Sequence, residues 1–296
     1  LKLTEIPFNG SWLKLERAAA QILPFRKHES YTVEFNVKAE EDTVLVSELR
    51  LSDKKENYTP NITLETLSVP IKKGEQKVKF DFTNTIPDEQ YGFVILLKNE
   101  HVSIQQSTQL ISGTVSVFNG ENRKVSNTGK QTALPGIGVH SFEFFTPLRR
   151  PEGQNLAMNI QPAIEGFAAN NLVNGYMRPW LQSNAWVADL EDENPTLDIS
   201  WDSAQSIREI SLYFDTDYDH ALESVQMGHH DDVMPFVVRD YGVVNDKGEV
   251  VYTKENNYQT INKVRFDKEV ISKSLSLRFK KPASGCPVAV FQIIVK

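Results

Sequence analysis

Apolar and polar residues alternate with a period of two along much of this chain. Tyr31, Val33, Phe35 and Val37 are interleaved with Thr32, Glu34 and Asn36. Val78, Phe80 and Phe82 alternate with Lys79 and Asp81, and the pattern returns at Val115 and Val117 and at Phe142 and Phe144. Each run sends apolar side chains to one face of a strand and polar ones to the other. Antiparallel sheets with one wet face give this signature. The run from Phe93 to Leu97 is strand-sized and wholly apolar. The stretch Ala18 to Ile22 reads either as a strand entering a sheet or as one helical turn, and the strand is preferred. No 3.6-residue periodicity extends beyond about three turns.

Turn chemistry separates these runs. Ile71-Lys72-Lys73-Gly74 and Phe118-Asn119-Gly120 are turn-like, and Ser52 to Asn61 reads as a polar loop. In the second half the predicted strands are Leu197–Trp201, Ile207–Phe214, Phe236–Val244, Glu249–Thr253, Ile261–Phe266, Ser274–Phe279 and Val288–Val295. Asn245-Asp246-Lys247-Gly248 joins two of them as a tight hairpin. The predicted fold class is all-β, with two consecutive antiparallel jelly-roll or β-sandwich domains. They span 1–160 and 161–296, with the boundary near Pro162, after a segment from Pro147 to Asn155 rich in Pro, Arg, Gly and Asn.

Composition narrows the function classes. The 296 residues are 40% hydrophobic and 24% charged, enough to build a core in each half. The net charge of -7 is spread along the chain with both signs mixed, so neither a nucleic-acid stripe nor a polybasic membrane patch is present. No run is long enough for membrane insertion through a helix. Cys286 is the only cysteine, which excludes a disulfide framework within the chain. The sequence starts at Leu1, and the expectation is a piece cut from a longer chain.

Motifs for nucleotide chemistry are missing. Gly136-Ile-Gly138 is the only G-x-G, and the third fingerprint position holds Ser141. No Walker loop, H-E-x-x-H or G-x-S-x-G occurs, and no catalytic residue is assigned. The chemically richest stretch is 215–232, which holds Asp215, Asp217, Asp219, His220, His229, His230, Asp231 and Asp232. Carboxylates with imidazoles can ligate a metal or exchange protons, yet the same residues also suit a solvated loop. Asn171-Leu-Val-Asn174-Gly175 reads as a turn, of the kind that can hold calcium through backbone carbonyls and an Asn oxygen. The candidate metal set is therefore Asn171, Asn174, Asp217, Asp219 and His220.

Three of the four tryptophans, Trp180, Trp186 and Trp201, lie within 22 residues. Trp186 and Trp201 sit in strand-like surroundings and read as core. Trp180 follows Arg178-Pro179 and belongs to a loop. An exposed indole stacks on the apolar face of a sugar while nearby polar groups take its hydroxyls. Arg178, Trp180, Asn184 and Asp189 form the candidate ligand-binding set.

From Asn171 onward the sequence resembles a family. The strings Asn171 to Gly175, Asn184-Ala-Trp186-Val-Ala, Leu197-Asp-Ile-Ser-Trp201 and Ile207 to Asp215 resemble a discoidin-type, galactose-binding-like domain over residues 163–296. The run Phe214 to His229, with Val233 to Tyr241 and Arg178-Pro179, resembles the C-terminal region of bacterial putative FAD-dependent oxidoreductases. In that family the FAD-binding portion lies upstream, so the resemblance implies FAD in an upstream domain and no cofactor in this fragment. Residues 1–160 look loosely like a carbohydrate-binding-module sandwich. Two functions follow as expectations. One is a non-catalytic accessory region of a larger oxidoreductase-like protein, partnered by an upstream catalytic domain. The other is a free-standing, extracytoplasmic (periplasmic or secreted) module that binds glycan.

Overall fold

The computed structural model describes residues 1–54, 60–113, 115–119, 147–148, 155–216, 236–283 and 285–296. The fold is all-β and antiparallel throughout; the described residues hold one short 3-10 turn, Ala169–Val173, and no α-helix. Two compact units emerge. The first comprises 2–110 with 114–166, and the second comprises 167–296 with Leu1 and Ile111–Gly113.

The first unit is built from β1 (Leu3–Ile6), β2 (Trp12–Leu15), β3 (Ala19–Phe25), β4 (Tyr31–Ala39), β5 (Thr43–Leu51), β6 (Ile62–Ile71), β7 (Gly74–Phe82), β8 (Gln90–Leu96), β9 (Asn99–Ser107), β10 (Ser116–Asn119), β11 (Pro147–Leu148), β12 (Asn155–Leu156) and β13 (Met158–Ile164). One sheet runs β1-β13-β4-β9-β12, with β7 added on β4 and β2 on β9; the other runs β11-β10-β3-β8-β5-β6. The period-two runs do what they predict. Val33, Phe35, Val37, Val78, Phe80 and Phe82 are buried, while Lys77, Lys79 and Asp81 face water. Burying each such large apolar side chain stabilises the unit by roughly 1.5–3 kcal/mol. Contacts between the sheets close the sandwich. The Phe25 and Tyr31 rings lie 4.7 Å apart, and Gln21 bridges Asn155 and the Leu156 amide.

The preferred reading of Ala18 to Ile22 holds, since Ala19–Phe25 is a strand with all seven residues buried. Other expectations are corrected. Phe118-Asn119 closes β10 rather than forming a turn. Pro162 lies inside β13, and the units divide at Gly166–Phe167, a few residues beyond the expected boundary. Asn155 and Leu156, at the end of the expected linker, are buried in β12.

The second unit is one sheet, ordered β14 (Trp186–Val187), β19 (Ala289–Val295), β15 (Thr196–Phe214), β18 (Ile261–Phe279), β16 (Tyr241–Asn245) and β17 (Val250–Lys254). Four predicted strands have merged into two of 19 residues each, β15 and β18, paired along their length. Their ladder has Thr196 opposite Arg278 at one end and Tyr213 opposite Ile261 at the other. A flat ladder of that length would hold its ends roughly 55 Å apart. Yet the rings of Phe214 and Phe279, from opposite ends, meet edge to face at 6.0 Å, and Phe214 is 5.5 Å from Tyr241. The ladder must therefore fold back on itself. Register shifts between Ser200 and Gln205, and between Ile207 and Glu209, lie at mid-length, where bulges bend and twist a sheet. The core fills the fold, with Ile210, Leu212, Val264 and Val290 against Leu197, Val243, Leu275 and Leu277. The polar residues 202–206 hid the continuity, because a bend with both faces wet looks like a loop in sequence.

The hairpin at Asn245–Gly248 forms as expected, with Gly248 at φ +80° and its amide donating to the Asn245 carbonyl at 3.0 Å. Ile111–Gly113 is buried in this unit although its neighbours in sequence belong to the first. Ser112 Oγ lies 3.2 Å from Cys286 Sγ and donates to the Pro287 carbonyl, and the Gly113 amide donates to the Asp215 carboxylate at 3.0 Å.

Candidate functional site

The segment between Phe167 and Trp186 carries no period-two pattern, and it holds the turn formers Asn174, Gly175 and Pro179. It folds as a loop after the 3-10 turn Ala169–Val173. Asn171 Nδ2 donates to the Ala185 carbonyl at 2.8 Å, and Asn174 Oδ1 accepts the Tyr176 amide at 2.8 Å. At the loop's closing end sits Asn184, which is buried and left-handed at φ 50°. Its amide nitrogen donates to the carbonyl of Trp180 at 2.8 Å and, more weakly, to that of Arg178 at 3.5 Å. Its oxygen accepts from Asn174 Nδ2 at 3.4 Å. Trp180 also donates its backbone amide to Gln182, around Leu181 at φ 61°. A non-glycine residue in that region costs about 1–2 kcal/mol, so the surrounding bonds must hold the loop against it.

This clamp presents a particular surface. Val173, Tyr176, Met177 and Trp180 are exposed by 77, 45, 45 and 40%. Four large apolar side chains are thus exposed within eight residues of a loop held by the Asn184 bonds, an arrangement that solvent alone does not favour. Trp186 and Trp201 are half-buried against the core of the second unit, as their strand-like surroundings imply. Of the four candidate binding residues, Arg178, Trp180 and Asn184 share this loop, with Asn184 as its clamp rather than a surface group. Asp189 lies beyond β14, with its side chain exposed and its carbonyl accepting the Asp192 amide.

The candidate metal residues fare differently. Asn171 and Asn174 spend their side chains on the loop's own backbone and on Asn184. Asp217, Asp219 and His220 lie outside the described residues, as do His229, His230, Asp231, Asp232 and the G-x-G at 136–138. Among the described residues no three His, Cys, Asp or Glu converge in a metal-binding group, and no helix is long and apolar enough to cross a membrane. Sequence reasoning missed Val173, Tyr176 and Met177. Their signal was present in hindsight: apolar residues in a stretch with turn formers and no alternation have no sheet face on which to hide.

Replacing Asn184 tests the clamp. Asn184→Ala removes three side-chain hydrogen bonds from a buried site and strains the left-handed backbone, so it should destabilise the second unit by about 2–3 kcal/mol. Denaturant unfolding followed by tryptophan emission reads the change; an unaltered midpoint would show that the loop needs no clamp.

No family model matches the chain, and no curated protein matches it. Solved structures do. A family 32 carbohydrate-binding module from Streptococcus pneumoniae EndoD aligns at 11% identity and a TM-score of 0.36, covering 45% of this chain and 87% of that one. Chitosan-binding module 1 from a Paenibacillus sp. IK-5 chitosanase/glucanase aligns at 14% and 0.34, covering 45 and 87%. The family 32 module of Clostridium perfringens NanJ, solved with galactose, aligns at 14% and 0.31, covering 45 and 86%. Likeness at this level carries no weight on what this chain binds. Nothing found supports the resemblance to oxidoreductases, and most of the run that carries it, 217–234, lies outside the described residues.

Proposed function

We propose that this chain is a binding module, and that the loop Val173–Asn184 of its second unit takes up a saccharide against Trp180. The observation that supports this reading is an exposed indole on a loop whose backbone is locked by the buried amide of Asn184. A fixed loop has already met the ordering cost of binding, so stacking on the ring appears as affinity. Trp180 supplies a flat apolar face, Tyr176 a second ring with a hydroxyl, and Arg178 hydrogen-bond donors for sugar oxygens. The same reading assigns the module an extracytoplasmic location, periplasmic or secreted.

The test is a glycan array followed by calorimetry on each hit. Trp180→Ala should weaken binding about five- to thirtyfold, in line with the roughly 1–2 kcal/mol that a stacked aromatic anchor supplies. Circular dichroism should not change, because the side chain packs in no core. Binding that survives the substitution, or an array with no hits, sinks the reading.

A further inference from the structure

The first unit carries a polar trough on the outer face of its seven-stranded sheet. Strand β13 advances five residues, from Asn159 to Ile164, while its neighbour β1 advances only two, from Leu3 to Glu5. The register shifts between those rungs. A trough of about 390 Å³ opens there, lined among others by Glu5, Thr32, Glu34, Lys79, Asn159 and Gln161. Bulges of this kind re-aim side chains and are over-represented beside functional sites.

The lining follows from register. Glu5 stands opposite Asn159, Asn159 opposite Glu34, and Glu34 opposite Lys79, in one row across four strands. The row spans about 14 Å at the usual strand spacing. The next row on the same face places Gln161 opposite Thr32. Asn159 Nδ2 donates to Glu34 Oε1 at 3.0 Å, and Lys77 Nζ does so at 3.1 Å. Among the described residues nothing donates a hydrogen bond to Glu34 Oε2, and Lys79 Nζ stands 3.9 Å from it. Burial pushes the Glu34 carboxyl up, but the bonds from Lys77 and Asn159 and the two lysine charges outweigh it and hold the group below the usual carboxylate range. Glu34 is thus a fixed, ionised acceptor with one oxygen turned to other use, beside an amide, a hydroxyl and an ammonium.

We propose that this trough binds a neutral saccharide through its hydroxyls, independently of the Trp180 loop. Paired acceptors and donors at strand spacing suit a polyhydroxylated ligand, whose hydroxyls give and accept at once. No aromatic ring lines the trough, so its grip comes from directional hydrogen bonds and is weak and selective. An acidic ligand is disfavoured, because Glu5 and Glu34 outnumber Lys79 among the lining groups.

Side-chain amide resonances of Asn159 and Gln161 in the full chain report occupancy directly. The probes are galactose, N-acetylglucosamine, lactose, cellobiose and maltose at millimolar concentration. At least one should shift both amides saturably. Glu34→Gln should lower that affinity at least fivefold, Gln161→Ala should lower it as well, and Trp180→Ala should leave it unchanged. Gln161 is exposed, so its substitution tests the site even if Glu34→Gln disturbs the sheet. If no probe moves these amides, or the shifts ignore both trough substitutions, the trough is not a sugar site. If Trp180→Ala abolishes the shifts, the binding belongs to the loop and the proposal also falls. Loss at the loop alone, with the trough intact, counts against only the function proposed above.

Discussion

Gly113→Ala should lower the unfolding midpoint of the second unit by about 10 °C, and Gly175→Ala should lower it by about half as much. Both glycines have positive φ, +79° and +89°, so both substitutions incur the backbone cost of about 1–2 kcal/mol. They differ in what the new methyl group meets. At Gly175 there is nothing within 4 Å. At Gly113 the added carbon would lie 2.9 Å from Ser183 Cβ and 3.2 Å from the Phe167 ring. Ser183 Cβ is fixed to the backbone and cannot swing aside, and overpacking of this kind typically adds 1–3 kcal/mol. A total of about 3 kcal/mol corresponds to roughly 10 °C in a domain of this size. Three of the four tryptophans lie in the second unit, so thermal unfolding followed by their emission reads that unit preferentially. Equal shifts for the two variants would mean that Ile111–Gly113 is not seated against Ser183 and Phe167.

The same segment shows where the sequence stopped being readable. Alternation identified β4 and β7 because each has one wet face, and the period of two survives in the order of residues. It could not reveal Ile111–Gly113. Three residues are too few to show a period, and the side chains paired with Ser112 and Gly113, those of Cys286 and Asp215, lie more than 100 residues away. The merging of four predicted strands into β15 and β18 failed to show for a related reason. Their bend is wet on both sides, and wetness without alternation reads as a loop. The candidate site was half legible. Trp180 stood out as an aromatic residue next to proline, and Asn184 was singled out beside it. That Asn184 acts from beneath the loop follows from its left-handed backbone and its burial, neither of which residue identity encodes. The trough was not legible at all, because it depends on a register offset between strands 150 residues apart. Strand β5 hid a charged pair in the same way. Leu45, Leu49 and Leu51 mark one buried face, so Glu48 and Arg50 read as the opposite, wet one, yet they are only 7 and 3% exposed.

That pair carries the largest effect expected in the first unit. Arg50→Met should destabilise it by about 3–5 kcal/mol, whereas Glu48→Gln with Arg50→Met should recover most of the loss. Arg50 forms an ion pair with Glu48 on the sheet face where the two stand opposite Phe93 and Ile95 of β8. Taking a guanidinium and a carboxylate out of water costs several kcal/mol per ion, and their mutual attraction offsets this only while both are present. Removing the arginine takes the guanidinium away from a carboxylate that is only 7% exposed. Methionine replaces much of the arginine's apolar stem, so the loss reports the charge rather than a cavity. Glutamine then removes the buried charge while keeping the shape and the contact with Thr66. Denaturant unfolding followed by far-ultraviolet circular dichroism compares the three proteins. If the double variant is as unstable as Arg50→Met alone, the guanidinium's own hydrogen bonds, rather than its charge opposite Glu48, hold this face together. If Arg50→Met costs less than about 1 kcal/mol, the range of an exposed pair, then groups other than Arg50 satisfy Glu48 and the pair does not hold this face.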